Sequence, residues 1–370
     1  MSRNMWAADH MPPRFDGARS NACARHPVRL PILSLFQTGL LLVLAGTCVL
    51  LTRAPAPPEE SSPAWSMPTG HPQGGVQAVT FAPDGRRLAT GGVDGSVVIW
   101  EVGNGVQKEL SDHPQSRVLH LTFSPDGTTL ASGHASSAVV LWNVMTGKER
   151  VLLAGHANDR VCLDFSPDGA TLATGGEEPG IRLWDVASGK IKATLRARPS
   201  AVRCVRFSPD GRTLASGYNA GLVELWDVST GERRHSLGPG NKGYAVQSLA
   251  FSGDGLTLAS GGVGDNLRLW DVATGLERVS LPTEVAGIRE VVFSDCGQTL
   301  VALKYDGSVL FRGLSARSER TICVGTSGTR CSAFSPDRSL LVLGDLDGII
   351  RVWDLNRFLL TGPEMPVLDR

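Results

Sequence analysis

Two regularities of the sequence predict an all-β fold built from seven copies of one unit. A phenylalanine that opens a turn resembling Ser-Pro-Asp-Gly recurs every 41 to 44 residues. Nineteen residues after most of these phenylalanines comes a tryptophan followed by Asp, Asn or Glu. The seven phenylalanines are Phe81, Phe123, Phe165, Phe207, Phe251, Phe293 and Phe334. A repeat of this length with this ending is typical of a propeller blade, so we expect a seven-bladed β-propeller.

The second copy shows how one repeat divides into four antiparallel strands. Residues 118–124 are apolar and β-prone, and the Pro-Asp-Gly turn at 125–127 ends them. Small residues at 129–133 form a second strand, and β-branched residues at 138–144 form a third that contains a tryptophan. A Thr-Gly turn then leads to a fourth strand at 148–153.

The repeated aromatic residues have a sufficient structural explanation. A single blade exposes two apolar faces, and a closed ring of blades buries both. Each aromatic residue between blades would bury on the order of 150–250 Å², which is several kcal/mol before entropy is subtracted. We therefore assign a structural role to the repeated tryptophans. They are Trp100, Trp142, Trp184, Trp226, Trp270 and Trp353, and Phe311 takes this place in the sixth copy.

These paired motifs resemble the WD-repeat family over roughly residues 64 to 356. The resemblance implies a hydrogen-bonded set in the first blade, formed by His71, Thr90, Asp94 and Trp100. In the second blade it implies a set without the aspartate, formed by His113, Ser132 and Trp142. A histidine, His156, also precedes the third blade, and the later blades lack this histidine.

The ends of the repeat region predict how the ring closes. The last copy lacks the glycine turn that leads to a fourth strand, whereas residues 64–71 resemble the end of a fourth strand. We expect residues 64–69 to supply the outer strand of the last blade, which is the overlapping closure known in the family. The alternative is that residues 358–360 complete this blade.

The resemblance implies that partners bind at one rim of the channel. Arginine recurs four residues before the phenylalanine in three copies, at Arg203, Arg289 and Arg330. Candidate neighbours in the adjacent turns are Glu177, Glu178 and Tyr305. Arginine and tyrosine are favoured as interface anchors, so this rim could contact an acidic peptide or protein surface. The alternative is that these are ordinary solvated loop residues.

We find no constellation that predicts catalysis, a cofactor or a metal site. The glycine-rich loop at 238–243 lacks the ending of a phosphate-binding loop, and the turn at 345–348 lacks the remaining ligands of a calcium loop. At the inner-strand position of Ala78, Cys162, Cys204 and Ser248, which would face the central channel, only His120 and Glu290 depart from small residues. A formal net charge of zero gives no indication of nucleic-acid binding, and no small-molecule substrate is indicated.

Three cysteines share one repeat position, three residues before the phenylalanine. They are Cys162, Cys204 and Cys331. We expect them to be small buried residues of the innermost strands. A disulfide between Cys162 and Cys204 is the alternative, and the sequence has no Cys-x-x-Cys pair that would suggest a metal site.

The region before the repeats predicts a membrane anchor. Residues 1–31 form a basic tail, residues 32–52 lie in an uncharged stretch long enough to cross a bilayer, and residues 53–63 form a Pro-rich linker. More arginine precedes the stretch than follows it, so we expect a single-pass protein with an extracytoplasmic propeller. A cleaved signal peptide is the alternative. The propeller then spans 64–357 and a tail spans 358–370.

Taken together, these features favour a membrane-anchored, non-catalytic scaffold that binds a protein or peptide. Two other classes stay open: a secreted or periplasmic binding or sensor module, and an enzyme with its chemistry in the central channel. The sixth copy has lost its tryptophan and carries Asp295-Cys296 in its first turn. Sequence drift and adaptation to a partner both explain that divergence.

Overall fold

The computed structural model describes most of the repeat region. The described residues are 63–71, 75–102, 105, 107–110, 116–153, 161–178, 180–238, 244–264, 266–282, 287–294, 297–314, 319–324 and 328–356. The predicted basic tail, membrane helix and C-terminal tail lie outside these ranges, as do His113 and His156. Among the described residues, no helix has the length and apolar character needed to cross a membrane.

Each of the first four blades consists of four consecutive strands, preceded in the chain by β1 (Trp65–Pro68). The first blade contains β2 (Val76–Phe81), β3 (Arg87–Gly92), β4 (Val97–Glu101) and β5 (Gln107–Glu109). The second contains β6 (Val118–Phe123), β7 (Thr129–His134), β8 (Val139–Asn143) and β9 (Glu149–Leu153). The third contains β10 (Val161–Phe165), β11 (Thr171–Gly176), β12 (Ile181–Asp185) and β13 (Ile191–Leu195). The fourth contains β14 (Val202–Phe207), β15 (Thr213–Tyr218), β16 (Val223–Asp227) and β17 (Arg233–Leu237).

The remaining blades keep this order. The fifth contains β18 (Val246–Phe251), β19 (Thr257–Gly262), β20 (Asn266–Asp271) and β21 (Glu277–Pro282). The sixth contains β22 (Ile288–Phe293), β23 (Thr299–Lys304), β24 (Ser308–Gly313) and β25 (Glu319–Cys323). The seventh contains β26 (Thr329–Phe334), β27 (Leu340–Asp345), β28 (Ile349–Asp354) and, from the start of the repeat region, β1. The prediction of seven four-stranded antiparallel blades is confirmed.

Ring closure follows the predicted overlap. Strand β1 pairs antiparallel with β28, with Trp65 opposite Val352 and Pro68 opposite Ile349. The strand lies at the outer edge of the seventh blade, so that position is filled by residues from the start of the repeats. The alternative segment at 358–360 lies outside the described residues.

The core lies between neighbouring blades, as the aromatic pattern predicts. Phe123 and Trp142 of the second blade pack in one cluster with Ile99 of the first blade. Phe81 and Trp100 of the first blade pack in the same way against the seventh. All six repeat tryptophans are at most 4% exposed. Each blade therefore depends on its neighbours to bury its aromatic residues.

The turns divide the ring into two faces. The upper face is the end of the ring that carries the turns between the second and third strands of each blade. These turns are at 93–96, 135–138, 177–178, 219–222, 263–264, 305–307 and 346–348. The lower face is the end that carries the Pro-Asp-Gly turns. In the second blade, Asp126 accepts hydrogen bonds from Ser124 and from the backbone of Thr128, and Gly127 adopts a φ of 67°. Strand β1 starts and strand β28 ends at the lower face.

Candidate interaction surface

A central cavity of about 770 Å³ runs between the inner strands of the blades. It is lined by residues of all seven inner strands: β2, β6, β10, β14, β18, β22 and β26. The cavity brings together side chains that are more than forty residues apart in sequence. Its upper mouth carries the first residues of the inner strands, where the recurring arginines were found.

Arg203, Arg289 and Arg330 all line this cavity. The guanidinium of Arg203 donates two hydrogen bonds to the Asn219 side-chain oxygen, at 3.2 and 2.9 Å. The guanidinium of Arg289 lies 4.7 Å from the centroid of the Tyr305 ring and donates a hydrogen bond to the backbone oxygen of Arg330. Three blades thus place cationic groups at one mouth, and one of these groups is held against an aromatic ring.

The acidic candidates lie elsewhere on the upper face. Glu177 is exposed, and Glu178 accepts a hydrogen bond from Arg182 at 3.1 Å. Neither glutamate lines the central cavity. The structure therefore groups Arg289, Arg330 and Tyr305 and leaves the two glutamates in the turn of the third blade.

An ion pair lies deeper in the channel, between the third and fourth blades. Asp164 accepts a hydrogen bond from the backbone N–H of Phe207 at 2.7 Å and one from Arg206 at 3.2 Å. Burial raises the pKa of the Asp164 carboxyl, and Arg206 opposes this effect. The Arg206 side chain is 44% exposed because the channel around it is open to solvent. The pair joins two inner strands.

Two further titratable groups face the same channel. Glu290 accepts a hydrogen bond from the Ser332 hydroxyl of the next blade, and burial raises the pKa of this carboxyl. Burial, together with the charge of Arg206, lowers the pKa of His120 to about 4, so its imidazole is neutral near pH 7. Its Nδ1 atom has no hydrogen-bond partner among the described residues. Glu290 thus connects two blades, whereas His120 is a neutral group of the channel wall.

The first blade contains the hydrogen-bonded set that the resemblance implies. The Nε2 atom of His71 lies 3.1 Å from the Thr90 hydroxyl, which accepts the indole N–H of Trp100 at 2.9 Å. The Nδ1 atom of His71 lies 3.3 Å from Asp94 and 2.7 Å from Ser96. Burial lowers the pKa of His71, and Asp94 opposes this effect. The set connects the upper turn to the core tryptophan.

Comparison with known proteins agrees with this geometry. The profile of the family described as "WD domain, G-beta repeat" matches six segments, which together make up more than half of the chain. They are residues 64–101, 104–143, 147–185, 189–227, 231–271 and 318–354. The chain belongs to the WD-repeat family. WD-repeat propellers generally act as scaffolds for interactions between proteins.

A solved structure shows the same propeller fold. It is titled "Crystal Structure of Mitotic Checkpoint Complex", and the matched chain is 21% identical to this one, with a TM-score of 0.72. The match covers 84% of this WD-repeat chain and 99% of the other. No curated protein matches the sequence.

The sixth blade of this WD-repeat propeller departs from the family pattern in sequence but not in fold. Its first three strands, β22 to β24, lie within residues 272–317, which fall outside the matched segments. Phe311 replaces the tryptophan and is 1% exposed in the core. This blade also supplies Arg289, Glu290 and Tyr305 to the surfaces described above.

Sequence reasoning missed two charged groups of the channel. Asp164 and Arg206 line it together with His120 and Glu290, but at a different repeat position. Both lie directly before the repeat phenylalanine, where the first two blades have Thr80 and Thr122. An aspartate and an arginine at the same position of consecutive repeats was the signal that could have revealed the pair.

Sequence reasoning also missed two second-strand side chains that contact the serine hydroxyl to which the core tryptophan donates. In the second blade, His134 lies 2.9 Å from the Ser132 hydroxyl, which accepts the Trp142 indole N–H at 2.8 Å. In the fourth blade, Tyr218 takes the corresponding place in β15. The first blade has Gly92 there, and a Cβ on this glycine would overlap His71. The side chain that contacts this hydroxyl thus comes from the preceding loop in the first blade and from the second strand in the second and fourth blades.

The repeated cysteines are thiols of the inner strands, as expected. Cys162 and Cys331 are buried and Cys204 is partly buried, and none of the three forms a disulfide. Each thiol lies near a backbone oxygen of the next blade, with Cys331 3.8 Å from the oxygen of Val76 across the closure. Among the described residues, no group of His, Cys, Asp and Glu is arranged to hold a metal ion.

Proposed function

We propose that this protein is a membrane-tethered, non-catalytic interaction platform whose upper face binds an acidic segment of a partner protein. Membership of the WD-repeat family supports the general role of a scaffold. The choice of an acidic segment depends on one observation, the position of Arg203, Arg289 and Arg330 at one mouth of the channel. Charged groups of this kind orient a partner and speed its association.

The partners of the arginines support this choice. Among the described residues, neither Arg289 nor Arg330 forms an ion pair with an acidic side chain, and Arg203 donates to the neutral amide of Asn219. A carboxylate could accept bidentate hydrogen bonds from such guanidinium groups. Tyr305 beside Arg289 adds an aromatic surface of the kind that is enriched at protein interfaces.

Both ends of the described chain lie at the face opposite to the arginines. The described chain begins next to β1 and ends after β28, and both of these positions lie at the lower face. An anchor formed by residues 32–52 would precede the propeller in the chain, with the propeller on the extracytoplasmic side as the charge bias favours.

Removal of the three arginines tests the binding proposal. The full chain and a variant with Arg203, Arg289 and Arg330 replaced by alanine would be crosslinked in cells, captured and analysed by mass spectrometry. We expect the triple variant to lose the partner. A matched variant with Arg86, Lys190 and Arg212 replaced by alanine removes three positive charges from exposed lower-face residues and should retain it. Undiminished capture by the first variant would reject the role of the arginines.

Topology needs its own test. A reporter that is active only in the cytoplasm, fused after Arg370, should be inactive if the propeller is extracytoplasmic. Sequencing the N-terminus of the mature protein separates a retained anchor from a cleaved signal peptide. An active reporter would reverse the orientation, and a mature N-terminus after residue 52 would favour the secreted module.

A further inference from the structure

Exposed large apolar side chains are unevenly distributed over the upper face. The described ones are Tyr244, Val263, Tyr305 and Leu346, which are 53%, 47%, 38% and 45% exposed. All four belong to the fifth, sixth and seventh blades or to the loop that enters the fifth. The other exposed large apolar residues lie in lower turns or on outer strands, at Met145, Leu152, Ile191, Leu256, Leu276 and Val279.

Glycines allow two of these rings to lie close to the backbone. A Cβ on Gly264 would be 2.8 Å from Cγ of Tyr244, so the tyrosine covers this glycine. A Cβ on Gly287 would be 3.4 Å from Cδ2 of Tyr305 and 3.5 Å from Cα of Val263. The Tyr305 ring of the sixth blade and the Val263 backbone of the fifth therefore both lie beside Gly287. Tyr244 lies against Gly264, the residue next to Val263, so the three apolar residues are close to one another across two blades.

The inner edge of this surface is cationic. Arg289 connects the Tyr305 ring to the backbone of Arg330, so the sixth and seventh blades contribute to one site. Arg330 is exposed at the channel mouth. Neither arginine has an ion-pair partner among the described residues.

The acidic groups of these blades have partners already. Asp306 accepts hydrogen bonds from the backbone and hydroxyl of Ser308, at 2.8 and 2.6 Å. Asp345 and Asp347 both contact Arg351. An incoming carboxylate would therefore meet Arg289 and Arg330 at the channel mouth, where Arg289 also interacts electrostatically with the buried Glu290.

The first four blades present a different upper surface. Their described turns carry small or polar residues, such as Ser136, Glu177 and Asn219. No large apolar side chain among the described residues of these turns is exposed. One half of the upper face therefore combines tyrosine, arginine and aliphatic side chains. Tyrosine and arginine are among the residue types that dominate binding energy at interfaces.

We infer that the partner docks on this half of the upper face, which we call the blade 5–7 surface: Tyr244, Val263, Arg289, Tyr305, Arg330 and Leu346. The inference rests on the proposed function and makes the partner more specific. The bound segment carries an aromatic or branched aliphatic side chain next to a carboxylate. The apolar side chain packs on Tyr244, Val263 and Tyr305, and the carboxylate pairs with Arg289 and Arg330. An acidic segment without the apolar residue would bind only weakly.

A display experiment tests this chemistry with random peptides in place of the natural partner. The full chain in detergent micelles would be used to select binders from a phage library of short random peptides. We expect enriched peptides to contain an aromatic or branched aliphatic residue beside Asp or Glu. Their dissociation constants would then be measured by fluorescence anisotropy.

Variants locate the binding site on the propeller. Tyr305→Ala and Arg289→Ala should each weaken binding at least about tenfold, as expected for interface anchors. Tyr305→Phe keeps the ring and should bind like the wild type. Arg117→Ala and Val93→Ala change an arginine and an apolar residue of the upper face in other blades, and should leave binding unchanged. Matching melting temperatures would show that all variants are folded.

The outcomes separate this inference from the proposed function. Peptides that are acidic but not apolar, and whose binding is lost in Arg203→Ala but retained in Tyr244→Ala and Tyr305→Ala, would overturn the inference and leave the arginine rim in place. Failure to enrich any peptide, or binding that no upper-face variant affects, would overturn both. Self-association that Tyr305→Ala abolishes would identify a second copy as the occupant and would also overturn the inference.

Discussion

The hydroxyl of Thr69 donates a hydrogen bond to the backbone oxygen of Gly348 at 2.7 Å, across 279 positions of sequence. The backbone N–H of Thr69 donates to the same oxygen at 2.9 Å. Thr69 is 1% exposed, so both bonds are shielded from water. They attach the end of β1 to the turn before β28, where the first described strand completes the last blade.

The side-chain bond of Thr69 should contribute measurably to ring closure. Thr69→Val keeps the shape and removes the hydroxyl, so the free energy of unfolding should fall by about 1 kcal/mol. Urea unfolding followed by tryptophan fluorescence measures this change. Thr194→Val, at an exposed site of an outer strand, is the matched control and should have little effect. Equal destabilisation by the two variants would show that the closure bond adds nothing.

The hydroxyl of Thr90 should matter more, because two buried polar groups depend on it. Thr90→Val leaves the Trp100 indole N–H and the His71 Nε2 atom without this partner, at a cost of about 1–3 kcal/mol. Thr90→Ser retains the hydroxyl and should lose much less stability. The same unfolding assay compares the two variants, and similar losses in both would argue against a role for the hydrogen bonds.

His120 should make the propeller less stable at acid pH. Its pKa is about 4 in the folded state against an ordinary value of 6.5, so the unfolded chain binds the proton more readily between these values. Stability contributed by the neutral imidazole is therefore present above pH 6.5 and is lost as the pH falls towards 4. One proton corresponds to a slope of at most about 1.4 kcal/mol per pH unit.

A pH series of urea unfolding for the wild type and His120→Gln tests this assignment. The variant should show a flatter dependence between pH 6.5 and 4, because the glutamine does not titrate. Other groups with altered pKa values, including His71, are common to both proteins and should cancel in the difference. Parallel curves would show that His120 is not the group responsible.

The repeated cysteines should resist alkylation in the native protein. Burial raises the pKa of Cys162 to about 12 and also raises the pKa of Cys204 and Cys331, whereas Cys323 is exposed on an outer strand. Because the thiolate is the reactive form, iodoacetamide at neutral pH should modify Cys323 well before the other three. Peptide mapping by mass spectrometry measures each site, and urea should make the four rates similar. Rapid native labelling of Cys162 would contradict the burial of the inner strand.

Local patterns were sufficient to predict much of the architecture. The Pro-Asp-Gly turns, the β-branched third strands and the recurring aromatic residues predict four strands per blade and seven blades. The incomplete last repeat and residues 64–69 predict the overlapping closure. These features are readable because turn chemistry and side-chain alternation act over a few residues. They do not reveal which residues of different blades come into contact.

The candidate site was less accessible to sequence reasoning. The recurrence of Arg203, Arg289 and Arg330 at one repeat position predicted that they face the same mouth, and all three line the cavity. The contact of Arg289 with Tyr305 and the surface formed by Tyr305 and Val263 could not be read in the same way. They depend on side-chain directions and on the approach of neighbouring blades at Gly287.

The sequence by itself determined the repeat unit, the number of blades and the family, because each of these is repeated in residues close together along the chain. Only the tertiary structure decided that Asp164 pairs with Arg206, that His134 and Tyr218 contact the hydroxyls of Ser132 and Ser216, and that the exposed apolar side chains of the upper face gather on three blades. These relationships depend on distances between separate blades, and such distances are set when the ring closes.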